Sequence, residues 1–94
     1  MKSKDLVHLG VYRMKDGHFR KIISIFWLMN STGKRVEATS PAGSDIEYVK
    51  CDENGHDFGN QTPRICSSTT FAKNAKECIG TGSKIDGKWK NERE

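Results

Sequence analysis

A small, mainly β (or α+β) domain is predicted by this sequence, with about five strands rolled into a barrel and closed by one C-terminal helix. Three observations predict it. Asp16-Gly17 stands between two β-prone runs, Val11-Tyr12-Arg13-Met14-Lys15 and His18-Phe19-Arg20-Lys21-Ile22-Ile23. Clusters of turn residues at Asn30–Gly33, Ser40–Ser44 and Asp52–Gln61 recur between short apolar stretches. Residues 68–79 carry helical periodicity with a capping residue at either end.

Taken in order, the first element is a hairpin. Asp-Gly favours a two-residue type I′ turn, because both residues tolerate positive φ. That turn pairs Lys15 with His18, Met14 with Phe19, Arg13 with Arg20 and Tyr12 with Lys21. Tyr12, Met14, Phe19 and Ile23 then share an apolar face, and Arg13, Lys15, His18 and Arg20 a polar one. The second strand continues through Met29. Ile22, Ile25, Phe26 and Met29 also fit a helical stripe, but three isoleucines with Phe and Trp favour a strand. Apolar residues on both sides of its middle suit a long strand that bends and serves two packed sheets.

Arg35–Thr39 reads as a short polar edge strand and Asp45–Cys51 as the next strand. Asp52–Gln61 is an acidic loop, with a hairpin turn at Asn54-Gly55. Thr62–Cys66 is a last short strand. Ser68 is the predicted N-cap of a helix whose apolar face is Phe71, Ala72, Ala75, Cys78 and Ile79, with Gly80 as its stop. The Gly-, Lys- and Glu-rich remainder, 81–94, is expected to be a largely disordered tail.

Composition narrows the function classes. The 94 residues make one domain over 1–80, too short for multidomain enzymes, TIM barrels or solenoids. No run is apolar enough to span a membrane, and the start does not read as a secretory signal. Three cysteines without a signal predict a reducing, cytoplasmic setting. The net charge of +4 is unevenly placed, with residues 1–35 at +6, 36–63 at −5 and 64–94 at +3. A basic–acidic–basic chain can set a positive face beside a negative one and attract polyanions.

The segments Gly10-Val11-Tyr12-Arg13, Arg20-Lys21-Ile22-Ile23-Ser24-Ile25, Ile46-Glu47-Tyr48-Val49, Ile65-Cys66-Ser67 and Phe71-Ala72-Lys73-Asn74-Ala75 follow one another in a distinctive order. That order resembles small phage- and prophage-encoded proteins with an SH3-like barrel and a C-terminal helix, over roughly residues 9–79. The resemblance implies an SH3-like domain and a phage or prophage accessory role in a bacterial host cell. It implies no site residue. Two departures stand out: Trp27–Ser44 is longer than such barrels need, and Asp52–Gln61 is unusually acidic.

Several chemistries are weighed and set aside. Cys51, His56, Cys66 and Cys78 lack the paired short spacings of a zinc site, so the cysteines are expected in the core and no metal or cofactor is expected. Asp52–Asp57 misplaces the glycine of a calcium loop, and Pro63 takes the place of its last ligand. No nucleophile stands in a recognisable motif, so no enzyme is expected. Three surfaces are left. The leading one is the hairpin face of Arg13, Lys15, His18 and Arg20, where opposed like charges suit nucleic-acid phosphates. Only Tyr48 and Trp89 are candidates for base stacking, so a duplex is expected rather than a single strand. Arg64 with Ser68 and Thr69 at the helix start could hold an anion. Asp52, Glu53 and Asp57 could mimic charge in an inhibitor or modulator of a host protein.

Overall fold

The computed structural model describes residues 1–28 and 32–90. The expected strand end at Met29, part of the turn at 30–33 and the last four residues lie outside them. A 3-10 turn at Ser3–Asp5 leads into β1 (Gly10–Met14), β2 (Phe19–Leu28), β3 (Arg35–Glu37), β4 (Asp45–Cys51) and β5 (Arg64–Ser67). Helix α1 (Ser68–Asn74) follows, then β6 (Ala75–Thr81), β7 (Ser83–Ile85) and β8 (Lys88–Lys90). The fold is therefore mainly β, and every strand pairing is antiparallel.

The main sheet has the order β5-β4-β2-β1-β6, with β3 on β2, and β7-β8 forms a separate ribbon. β5 and β6 stand at opposite ends of that order, so no pairing among the described residues closes the sheet into a barrel. β2 is the organising strand. Its first residues pair with β1, and Phe26 to Leu28 pair with β3. Its register against β4 shifts between Ile22 and Ser24, the irregularity that a bulge makes, between the stretch paired with β1 and the stretch paired with β3. All three partners of β2 belong to one sheet, not to two packed sheets. β3 is an exposed edge, and its Arg35 lies over the Phe26 ring at 4.4 Å and pairs with Glu47 at 3.2 Å.

Both faces of the sheet are covered, by different means. Tyr12, Met14, Ile22 and Ile46 pack against Leu6 and against Phe71, Ala72 and Ala75. Phe71 meets Tyr12 edge-on with ring centroids 5.4 Å apart, a favoured aromatic geometry. The Tyr12 hydroxyl accepts the Val7 N–H at 2.9 Å, so its polar tip is satisfied. On the opposite face Val11, Lys21, Val49 and Cys51 are buried beneath Gly55 and the β7-β8 ribbon. Lys21 Nζ donates to Ser83 Oγ at 3.2 Å, and the Lys84 N–H donates to the Asn54 carbonyl at 2.7 Å. A Cβ at Gly80 would run into the Trp89 ring, so that ring seats directly on backbone.

Three expectations are corrected. The first hairpin pairs Val11 with Lys21, Tyr12 with Arg20 and Arg13 with Phe19, one residue away from the type I′ register. The Met14 N–H donates to the His18 carbonyl at 2.8 Å, and the Gly17 N–H donates to the Met14 carbonyl at 3.0 Å. The loop is therefore the three residues Lys15-Asp16-Gly17, with Gly17 in the left-handed region at φ +89°. Second, the helix ends at Asn74 rather than Ile79, and its N-cap is Ser67, whose hydroxyl accepts the Thr70 N–H at 3.1 Å. Pairing with the free edge of β1 outweighs helix propensity over 75–79 and leaves Cys78 exposed. Third, residues 81–90 are structured, as the end of β6 and the β7-β8 ribbon. Among the described residues no helix is long and apolar enough to cross a membrane.

Candidate nucleic-acid interface

The one-residue change of register divides the expected hairpin face. Residues directly opposite in an antiparallel pair share a face. Arg13 therefore lies with Phe19 on the ribbon side and Arg20 with Tyr12 on the helix side. Arg13 donates to Glu77 Oε1 at 2.9 Å and is charge-balanced. Lys15 and His18 are exposed at the loop; the Lys15 N–H bonds the Asn74 carbonyl, and the His18 N–H donates to Asp16 Oδ1 at 2.9 Å. That bond, with the nearby His18 and Arg20 charges, holds the Asp16 carboxyl below its ordinary range. The four residues do not form one surface.

A different cationic row takes its place. Arg20 sits directly across from Lys50 on β4, and Arg64 on β5 sits directly across from Tyr48. Tyr48 and Lys50 alternate on the same side of β4, so all four side chains belong to the helix-side face. The Arg20 guanidinium lies 5.4 Å from the Tyr48 ring centroid, a cation–π arrangement that fixes its plane. Among the described residues Asp16 is the only acid within ion-pair distance of it, at 3.9 Å. β5 reaches only as far as Tyr48, so Lys50 lies on a free edge. The Gln61 side chain closes that edge: its Oε1 accepts the Lys50 N–H at 2.9 Å, and its Nε2 donates to the Lys50 carbonyl at 2.8 Å.

The expected anion site is not assembled. Ser68 is fully buried in the core, and its N–H is taken by the Ser44 carbonyl, so it offers solvent neither hydroxyl nor amide. Thr69 is exposed, and Arg64 belongs to the β4-β5 row. In the acidic loop, Asp52 Oδ1 accepts the Asn54 and His56 N–H groups at 2.8 and 3.0 Å, and Asp57 Oδ1 accepts that of Gly59 at 3.0 Å. These are local turn bonds, with Gly55 at φ +79°. Of the three acids, Glu53 alone lacks such a bond among the described residues.

The thiols lie on three separate strands, and no cluster of three His, Cys, Asp or Glu side chains fit for a metal occurs among the described residues. Burial pushes the Cys51 thiol up to about 11 despite the nearby Lys21 charge, and burial raises Cys66 against the pull of Arg20. Both therefore stay protonated at neutral pH, unlike a reactive thiolate. The sequence offers Tyr48 and Trp89 as the only stacking aromatics, too few there to favour a single strand, and it does not single out Lys50, Phe19 or Phe58. Counting alternate residues along Asp45–Cys51 would have placed Lys50 on the same face as Tyr48. Comparisons with protein-family models, with curated proteins and with solved structures find no match for this chain.

Proposed function

We propose that this chain is a non-enzymatic binding module for a polyanion, with nucleic acid the leading partner, contacted through Arg20, Lys50 and Arg64. The observation that carries the reading is the direct opposition of Arg20 and Lys50 on adjacent strands. Like charges so placed repel each other, and a row of phosphates offsets that repulsion while releasing its own counterions. The cytoplasmic setting, the SH3-like assignment and the phage or prophage accessory role belong to this reading and rest on the sequence alone.

The test is fluorescence anisotropy with a labelled oligonucleotide, single-stranded and duplex, at several salt concentrations. The Lys50→Glu/Arg64→Glu variant should bind weakly whatever the sequence, and its log–log salt slope should flatten by about one for each lost phosphate contact. Unchanged binding beside a normal melt would remove these residues from the interface. The rival reading, a modulator of a host protein, draws on Phe58, which is 67% exposed beside Asp52 and Glu53. It predicts that nucleic acid is ignored altogether.

A further inference from the structure

Three depressions run in sequence around the end of the sheet. The first, of about 370 Å³, lies between Arg64, Pro63 and Lys50. Lys50 also lines the second, again about 370 Å³, where it meets Phe19, Phe58 and His18. Phe19 in turn lines the third, about 380 Å³, with Trp89, Arg13 and Lys84. Shared residues make the three contiguous. The track starts on the cationic row and ends on the ribbon-side face.

We propose that this track binds single-stranded rather than duplex nucleic acid, with phosphates at Arg64 and Lys50 and bases on Phe58, Phe19 and Trp89. The inference rests on the polyanion reading above and specifies its ligand. A single exposed aromatic on a small domain is ordinary. Three aromatics in adjoining depressions, interleaved with cations, are the arrangement that single strands use, because every base has a stackable face. A duplex keeps those faces inside its own stack and cannot occupy such depressions.

Position and charge agree with this occupant. Trp89 is seated against the Gly80 backbone, so its ring is held in place before any ligand arrives. Phe58 projects from the loop after the Cys51–Asp57 bridge. Among the described residues Lys50, Arg64 and Lys84 form no ion pair, whereas the acids lining the track are mostly engaged. Glu77 is paired with Arg13, and the Asp52 carboxylate is bound by two backbone N–H groups. Glu53, which lines both the second and third depressions, is the one acid that opposes a phosphate chain.

The experiment compares a labelled mixed-sequence single strand with the same sequence as a duplex. The single strand should bind about tenfold or more tighter. Phe58→Ala, which removes an exposed side chain and should melt normally, should weaken the single strand by about tenfold and leave the duplex unchanged. Glu53→Gln should tighten it by severalfold. In a Trp27→Phe background, saturating single strand should quench Trp89 emission. Equal affinity for both forms, with Phe58→Ala silent, would overturn the track and leave the polyanion reading intact. Absence of binding to either form would overturn both.

Discussion

Two Asp-Gly turns in this chain take different shapes. Asp86-Gly87 is a two-residue type I′ turn: Asp86 and Gly87 have φ of +52° and +78°, and Ile85 pairs with Lys88 across them. Asp16-Gly17 belongs to a three-residue loop in which only Gly17 is left-handed, and Asp16 instead accepts the His18 N–H. Asp52–His56 repeats the second shape around Glu53-Asn54-Gly55, with the same closing bonds. The dipeptide thus marks a hairpin without counting its loop residues. What counts them is the packing of the strands beyond. In the two-residue register Lys21 would share a face with Tyr12 and enter the aromatic cluster around Phe71. One more loop residue turns Lys21 to the ribbon side and lets Tyr12, Met14 and Ile22 face the helix.

The largest expected effect tests that choice directly on two neighbouring residues of β2. Ile22→Lys places a charge, with no partner, among Tyr12, Ile46 and Phe71, and should cost several kcal/mol, enough to abolish cooperative unfolding in a domain this small. Lys21→Ile, on the other face, loses the bond to Ser83 Oγ and should cost about 1 kcal/mol. Thermal melts of the two variants separate the registers. If Lys21→Ile unfolds the protein and Ile22→Lys is tolerated, the two-residue turn is the right one.

A smaller effect separates the turns themselves. Asp86 is left-handed, so Asp86→Val forces a β-branched residue into that region and should cost about 1–2 kcal/mol. Asp16→Val meets no such strain and loses the bond to His18 and the 3.9 Å contact with Arg20. The loss at Asp86 should be local as well. The β7-β8 ribbon is a separate two-stranded unit, so its amides should exchange faster while those of β2 and β4 hold their protection. Equal costs at the two aspartates, by melting and by hydrogen exchange, would erase the distinction drawn between these turns.

The same contrast explains what was legible in the sequence. β4 was readable to the residue, because Asp45–Cys51 lies between turn clusters and carries the β-prone residues Ile46, Tyr48 and Val49. The Asn54-Gly55 turn was readable for the same reason as the first hairpin. The face of each arginine was not, because it depends on a single loop residue whose count is fixed by distant packing. The strand Ala75–Thr81 was hidden by a helical pattern, since Phe71, Ala72 and Ala75 are buried in either conformation and only the free edge of β1 decides between them. The ribbon was hidden by composition. Its short Lys-rich strands, set off by Gly82 and Gly87, carry Trp89 as their main anchor, and what that ring packs on, Gly80, leaves no apolar signature. The candidate site suffered most, because both its cationic row and its aromatic depressions depend on strand register and on that ribbon.

The smallest effect is a pH dependence at Asp16. Its carboxyl is held below the ordinary range chiefly by the His18 N–H, with the His18 and Arg20 charges adding to the pull. A carboxyl lowered on folding stabilises the native state at pH above its unfolded value of about 3.9, and that contribution fades as pH falls through the lowered folded value. Asp16→Ala should therefore melt slightly below the parent at neutral pH, and the two should converge as pH falls through the lowered folded value. The group is fully exposed, so added salt should shrink the part due to Arg20 and leave the backbone bond to His18. A carboxyl titration of Asp16 by NMR reads the same shift without melting the protein. An ordinary aspartate titration there, with the melting difference unchanged in acid, would mean that the side chain does not close this loop, and the turn would have to be held by its backbone bonds and Gly17 alone.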